Sequence, residues 1–241
     1  MKKDESKYFN FPVQLLKGFL IDHKACLSNI LDYALYDHAK NILADDEDDE
    51  DEREMDVKII QSSHFFGVDL PIEAMDQIFE NGEELYYEYP RNSPKVGISE
   101  DVYWDFNNNY KSDFEKVSLL AFLALKSIVQ KKAYCKVVNH FILSRMDGMT
   151  GSVKSNEELS PEIQKYANEY QMKKIKFELS ENWNMNYYGR YTRGFYVSFK
   201  MELVDLIYQV EKKRKARQVD QHKEKQKTAL ECALEKLKTE G

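Results

Sequence analysis

A chain of 241 residues with 42% hydrophobic and 13% aromatic side chains has enough apolar mass for one large domain or two ordinary ones. Its formal net charge of -7 conceals an asymmetry, with 11 Lys and Arg against 27 Asp and Glu over residues 1–115 and 24 against 15 over residues 116–241. No apolar run approaches the roughly 18 residues of a membrane span, and the opening MKKDES leads into no signal-peptide core, so a soluble cytoplasmic protein with no membrane partner is expected.

In chain order, Leu15, Leu16, Phe19 and Leu20, then Leu27, Ile30, Leu31, Ala34 and Leu35, follow helical spacing. They predict two antiparallel helices separated near Ile21 to Lys24. The run Asp45 to Glu54 holds nine acids and one arginine, and self-repulsion predicts a flexible acidic loop at 45–54. A second reading of that run is a tethered polyanion that occupies a basic surface until DNA displaces it.

From Val57 onward, KIIQSSHFFGV suggests a strand or short helix. Pro71 to Asn81 has proline at a helix start and Gly82 just past its end. Glu83 to Asn109, rich in tyrosine, asparagine and proline, reads as irregular structure and short strands over a helical core. Its rings, Tyr86, Tyr87, Tyr89, Tyr103, Trp104 and Phe106, suit packing better than base stacking in this acidic context.

Val117 to Gln130 is apolar almost all the way round and predicts a buried helix. Tyr134 to Arg145 predicts another, with Val138, Phe141, Ile142 and Arg145 at helical spacing and Gly148 as its stop. Farther on, Met172, Ile175, Leu179 and Trp183 mark one face of a helix, with Lys173, Lys174 and Lys176 off that stripe. After Trp183 the period changes to two, placing Phe195, Val197 and Phe199 on one face of a strand and Tyr196 and Ser198 on the other. Gly189 and Gly194 bracket the turn, so Arg190 and Arg193 fall near its tip, where guanidinium forks reach phosphates readily.

This order of elements, from Val117 to Phe199, resembles the winged helix-turn-helix family of DNA-binding domains. The resemblance covers about a third of the chain and rests on element order and charge placement. It implies that the helix Glu169 to Asn182 is a recognition helix presenting Gln171, Lys173, Lys174 and Lys176 to a groove, and that the hairpin Tyr187 to Phe199 is the wing. One departure is the stretch Asp147 to Ser160, longer than the tight turn usual between such helices. Glu178 and Glu181 on the same helix repel phosphates unless they face away or pair with Lys174 or nearby arginines.

Lys200 to Gly241 predicts a long helix, with Leu203, Ile207 and Val210 on one face and Leu230, Leu234 and Leu237 on another stretch of it. The polar middle interrupts the stripe, so a continuous coiled coil is not indicated. Lys212, Lys213, Arg214, Lys215 and Arg217 form a basic cluster suited either to sequence-independent phosphate contacts or to keeping a helix face solvated.

The search for catalytic motifs returns nothing that names a reaction. The five histidines lack zinc-site spacing, and no phosphate loop, dinucleotide fingerprint, GxSxG elbow or HExxH pair is present. Cys26, Cys135 and Cys232, odd in number and far apart, read as reduced, partly buried thiols. No enzyme, metal or cofactor is expected.

The fold class expected is therefore mainly α with a small β-hairpin: an acidic α-rich region at 1–115, a winged helix-turn-helix-like unit at 116–199 and a long basic helix at 200–241. The function expected is DNA binding, in transcriptional regulation or in replication initiation on a mobile element. The alternative is a protein-interaction or assembly module that uses the winged fold and the last helix to bind an acidic protein partner or a second copy. Tyr187, Tyr188, Tyr191 and Tyr196 lean toward that alternative, and the direction their rings point discriminates the two.

Overall fold

The helix at the centre of the molecule begins at Asp113, four residues before the apolar run from Val117 that predicts it. Ser112 accepts a hydrogen bond from the Glu115 amide at 3.3 Å and donates its own amide to the Glu115 carboxylate at 2.8 Å, a reciprocal cap that satisfies two orphan donors. The helix then runs from Asp113 to Val129 with ten of its residues buried, as its nearly all-apolar sequence predicts. In the computed structural model, which describes residues 7–43, 52–68, 75–89, 92–189 and 194–239, the chain is mainly helical with two small antiparallel sheets.

The elements are, in order, β1 (Tyr8–Pro12), α1 (His23–Leu43), α2 (Glu52–Phe66), α3 (Met75–Glu88), β2 (Lys95–Ser99), α4 (Glu100–Asn108) and the central α5 (Asp113–Val129). There follow β3 (Cys135–Val137), α6 (Asn139–Met146), the short α7 (Pro161–Gln164), α8 (Glu169–Asn182), β4 (Asn186–Tyr188), β5 (Phe195–Ser198) and α9 (Leu203–Thr239). β1 pairs with β2 from Tyr8 opposite Ser99 to Pro12 opposite Lys95. In the second sheet β5 lies between β3 and β4, antiparallel to both.

The N-terminal half differs from its sequence pattern in four places. The expected first helix is a strand followed by a 3-10 turn over Val13–Leu16, because the backbone there is engaged by β2 and by Pro94, whose carbonyl accepts from the Val13 amide at 2.9 Å. Leu15, Leu16 and Phe19 are still buried, from a turn. Val57 onward belongs to a full helix, α2, which begins at Glu52. The rest of the acidic run, and Pro71 with its neighbours, lies outside the described residues.

Gly82 does not end a helix; it sits inside α3, pressed on α1. A Cβ there would lie 2.7 Å from the Asp32 carbonyl oxygen and 2.9 Å from the Tyr36 Cβ, so only glycine lets the two helices approach this closely. Next to it the Tyr36 hydroxyl donates to Glu83 at 2.8 Å. The tyrosine-rich stretch expected to be irregular with short strands does hold one short strand, β2, but the rest of it forms the end of α3 and the helix α4. Tyr103 is buried with its hydroxyl donating to the Leu27 carbonyl, while Tyr87 is exposed.

Farther along, the helix expected over Tyr134 to Arg145 is two elements. Cys135–Val137 is drawn into a strand by β5, and the helix begins only at Asn139. Gly148 does close it, at φ +73°, and has no room for a side chain, since a Cβ would meet the Gln14 carbonyl oxygen and the Lys17 Cβ at 2.9 Å. One hydrophobic cluster runs from Phe9, Phe11 and Leu16 through α1, β2 and α5 to Ile142, Met172, Leu179 and Val197, so residues from both sides of position 115 share a core. Among the described residues no helix is long and apolar enough to cross a membrane, and no group of His, Cys, Asp or Glu is placed to hold a metal ion. Cys26 and Cys135 are half-buried free thiols, and burial raises both pKa values, that of Cys26 to about 11. The Cys232 side chain lies outside the described residues.

Candidate nucleic-acid interface

The long segment between α6 and α8 is ordered by its own side chains. Ser144 accepts from the Val153 amide at 2.9 Å, Asp147 accepts from the Ser160 amide at 2.7 Å, and Ser155 and Glu158 cap a 3-10 turn over Asn156–Glu158. Pro161 opens α7, where its missing N–H costs nothing. Asn168 then caps α8, its side-chain oxygen accepting from the Gln171 amide at 3.0 Å.

Helix α8 spans Glu169–Asn182, the bounds its sequence predicts. Met172, Ile175 and Leu179 bury its inner face, which packs on α5. Trp183 is the C-cap and only half-buried, its ring 4.5 Å from that of Phe122.

On the opposite face lie Tyr170, Lys173, Lys174, Phe177 and Glu181. Lys173 is exposed and bonded to Glu169 at 2.7 Å, a pair that holds the carboxyl below and the ammonium above their usual ranges. Lys174 is exposed with its Nζ 4.1 Å from the centre of the Phe114 ring. Lys176 is placed differently from its two neighbours. Its ammonium is half-buried 4.1 Å over the Phe195 ring, and desolvation lowers its pKa. Gln171 is half-buried at the first turn. Glu178 turns sideways, accepting from Asn182 at 2.7 Å and lining a groove with Asp105, Lys111 and Glu115, whereas Glu181 stays on the exposed face.

Tyr170 and Phe177 carry no charge and were not singled out by the basic pattern, yet they are 74% and 64% exposed. The signal that finds them is the same 3.6-residue period read on the side opposite Met172, Ile175 and Leu179.

The hairpin of β4 and β5 stands beside α8, joined to it through Lys176 and Phe195. Phe195 and Val197 are buried as the period-two pattern predicts. Ser198 is buried too, contrary to that pattern, because it donates to the Ala133 carbonyl at 2.7 Å and accepts from the Lys200 and Met201 amides at 3.1 and 2.9 Å. Arg190 and Arg193, together with Tyr191, lie outside the described residues. Tyr188 is half-buried with its hydroxyl donating to Glu211 at 3.0 Å, Tyr196 is half-buried with its ring 6.3 Å from Tyr134, and Tyr187 is exposed.

Helix α9 rests on β4 and β5 through Leu206 and Val210, both buried. Leu203, expected on that face, is exposed, because the packed stripe starts one turn later. Beyond Val210 the basic cluster emerges. Lys213 lies 4.7 Å over the Tyr134 ring and Arg214 bonds Glu211 at 2.8 Å, while Lys212, Lys215 and Arg217 are exposed. The lysines of α8 and the cations of α9 are two groups, with Lys176 of the first resting on Phe195 and Lys213 of the second on Tyr134.

No family model, curated protein or solved structure matches this chain.

Proposed function

We propose that this chain binds duplex DNA as a winged helix-turn-helix protein, with α8 entering the major groove and the hairpin of β4 and β5 acting as the wing. The observation that carries this reading is the placement of α8. Its whole outer face is free, with Lys173 and Lys174 on it, while a three-stranded sheet of order β3-β5-β4 holds a hairpin at its side. A helix is roughly 10–12 Å across with its side chains and the major groove about 12 Å wide, so a free helical face of this kind fits it.

In this reading Lys173 and Lys174 divide between base edges and phosphates, Gln171 stands at the entering end of the helix, and Arg190 and Arg193 at the hairpin tip anchor the wing. Lys212, Lys215 and Arg217 add phosphate contacts without sequence preference. Lys176 supports the site rather than touching DNA, because its ammonium is half-buried between α8 and the Phe195 ring. Binding of this kind, without catalysis, serves transcriptional regulation or replication initiation on a mobile element.

The test is a fluorescence-anisotropy titration against double-stranded and single-stranded DNA at two salt concentrations. Salt-dependent, duplex-preferring binding is the expected result, and no binding at low salt overturns the proposal. A second reading, a protein partner docking on the same face, is favoured by the exposure of Tyr170 and Phe177.

A further inference from the structure

Resting on the DNA-binding reading above, we infer that Phe177 reads thymine, so that the preferred duplex carries an A·T pair where this ring meets the groove floor. Phe177 sits at the middle of the free face of α8, one turn beyond Lys173 and Lys174 and 64% exposed. Lys173 and Lys174 beside the ring offer the cations of a face that also carries Glu169 and Glu181, and any phosphate the lysines reach brings the groove floor toward Phe177.

The edges of a G·C pair in the major groove offer only hydrogen-bonding groups, whereas thymine offers the 5-methyl group. A benzyl ring pressed on G·C strips water from donors and acceptors and returns no hydrogen bond. Pressed on a thymine methyl, it buries apolar surface on both sides. The ring therefore selects by attraction to one base pair and by desolvation cost on the other.

Tyr170 lies seven residues earlier on the same line of the helix, 74% exposed. Two turns of α-helix rise about 10.5 Å, and base pairs stack at about 3.4 Å, so the two rings address positions roughly three base pairs apart. The hydroxyl of Tyr170 also lets it bond a base edge or a phosphate. Phe177 is thus the residue that carries methyl recognition, and Tyr170 sets its spacing.

The experiment compares three short duplexes by anisotropy at one fixed salt concentration: an A·T-rich duplex, the same duplex with deoxyuridine replacing every thymidine, and a G·C duplex. Each is titrated with the full chain and with Phe177→Ala and Lys173→Ala. The expected result is binding to the thymine duplex about fourfold tighter per contacted methyl than to its uracil twin, the value of one buried methyl group. Phe177→Ala closes that gap, and Lys173→Ala weakens both duplexes alike and leaves the gap in place. Equal affinity for the thymine and uracil duplexes overturns methyl recognition while leaving DNA binding intact. A gap that survives Phe177→Ala overturns the assignment to this residue. Failure of all three duplexes to bind at low salt overturns the DNA-binding reading itself and turns the aromatic face toward a protein partner. Both substitutions are at exposed positions, and unchanged melting temperatures establish that the variants are folded.

Discussion

The Lys176 ammonium lies 4.1 Å from the centre of the Phe195 ring, so the helix α8 and the strand β5 are joined by a cation resting on an aromatic face. Lys174 makes a like contact with Phe114 but stays exposed, so it is burial that separates Lys176 from the two lysines beside it in sequence. Replacing Lys173 and Lys174 together by alanine is expected to lower the slope of log K against log salt by about two units, with the melting temperature unchanged. Lys176→Met is expected to keep that slope. Because burial lowers the folded pKa of Lys176, its charge is disfavoured in the fold below that pKa, and removing the charge leaves stability equal or higher at neutral pH. A melting temperature several degrees lower in Lys176→Met would show that the cation on the ring is a net stabiliser.

Asp32 provides the pH dependence. Burial against α3 raises its carboxyl pKa to about 6, with the Asn81 amide, 2.5 Å away, pulling in the opposite direction. An acid whose folded pKa lies above its unfolded value, about 3.9, favours the fold when protonated, so its contribution is lost as pH rises through that interval and is gone above about 6. The loss is of the order of 3 kcal/mol. Asp32→Asn is expected to raise the melting temperature at neutral pH and to flatten the stability profile between about pH 4 and 6, as read by urea denaturation across that range. An unchanged profile would place the titration elsewhere.

Gly82→Ala tests the packing of α1 on α3. Since a Cβ meets backbone at 2.7 Å, the helices must separate, at a cost of about 1–3 kcal/mol despite the better helix propensity of alanine. A gain in stability would mean that the two helices yield without loss.

Ser198→Ala removes one hydroxyl that serves three backbone groups, at Ala133, Lys200 and Met201, where the second sheet hands the chain to α9. A loss of about 1–3 kcal/mol is expected, because buried partners are left unsatisfied. Thermal unfolding followed by circular dichroism reads it directly, and a neutral result would show that water replaces the hydroxyl there.

Helices α5 and α8 were legible in the sequence because everything that defines them is local. Their apolar stripes run unbroken and are enough to find them, although the first turn of α5, set by the Ser112 and Glu115 cap, precedes the stripe and is missed by it. Strands β1 and β3 were not legible, since each takes its conformation from a partner far along the chain, Lys95–Ser99 for one and Phe195–Val197 for the other. A glycine in a helix pattern reads as a stop, and only the Asp32 carbonyl beside Gly82 reveals that it is a contact. At the site, charge drew the eye to Lys173, Lys174 and Lys176 alike. The sequence holds no sign that a ring nineteen positions away claims Lys176, and the uncharged Phe177 is easily passed over because apolar residues are assumed to point inward.

The hydrophobic cluster that runs from Phe9 to Val197 across both charge halves has a consequence for how the molecule opens. Amide protons in α1 and in α5 are shielded by the same packed side chains, so their slowest exchange is governed by one global opening rather than two independent ones. Hydrogen exchange followed by mass spectrometry is expected to give α1 and α5 the same protection free energy. A partner that grips α8 then slows exchange in α1 by the same factor, and the acidic half reports occupancy of the basic half without touching what is bound.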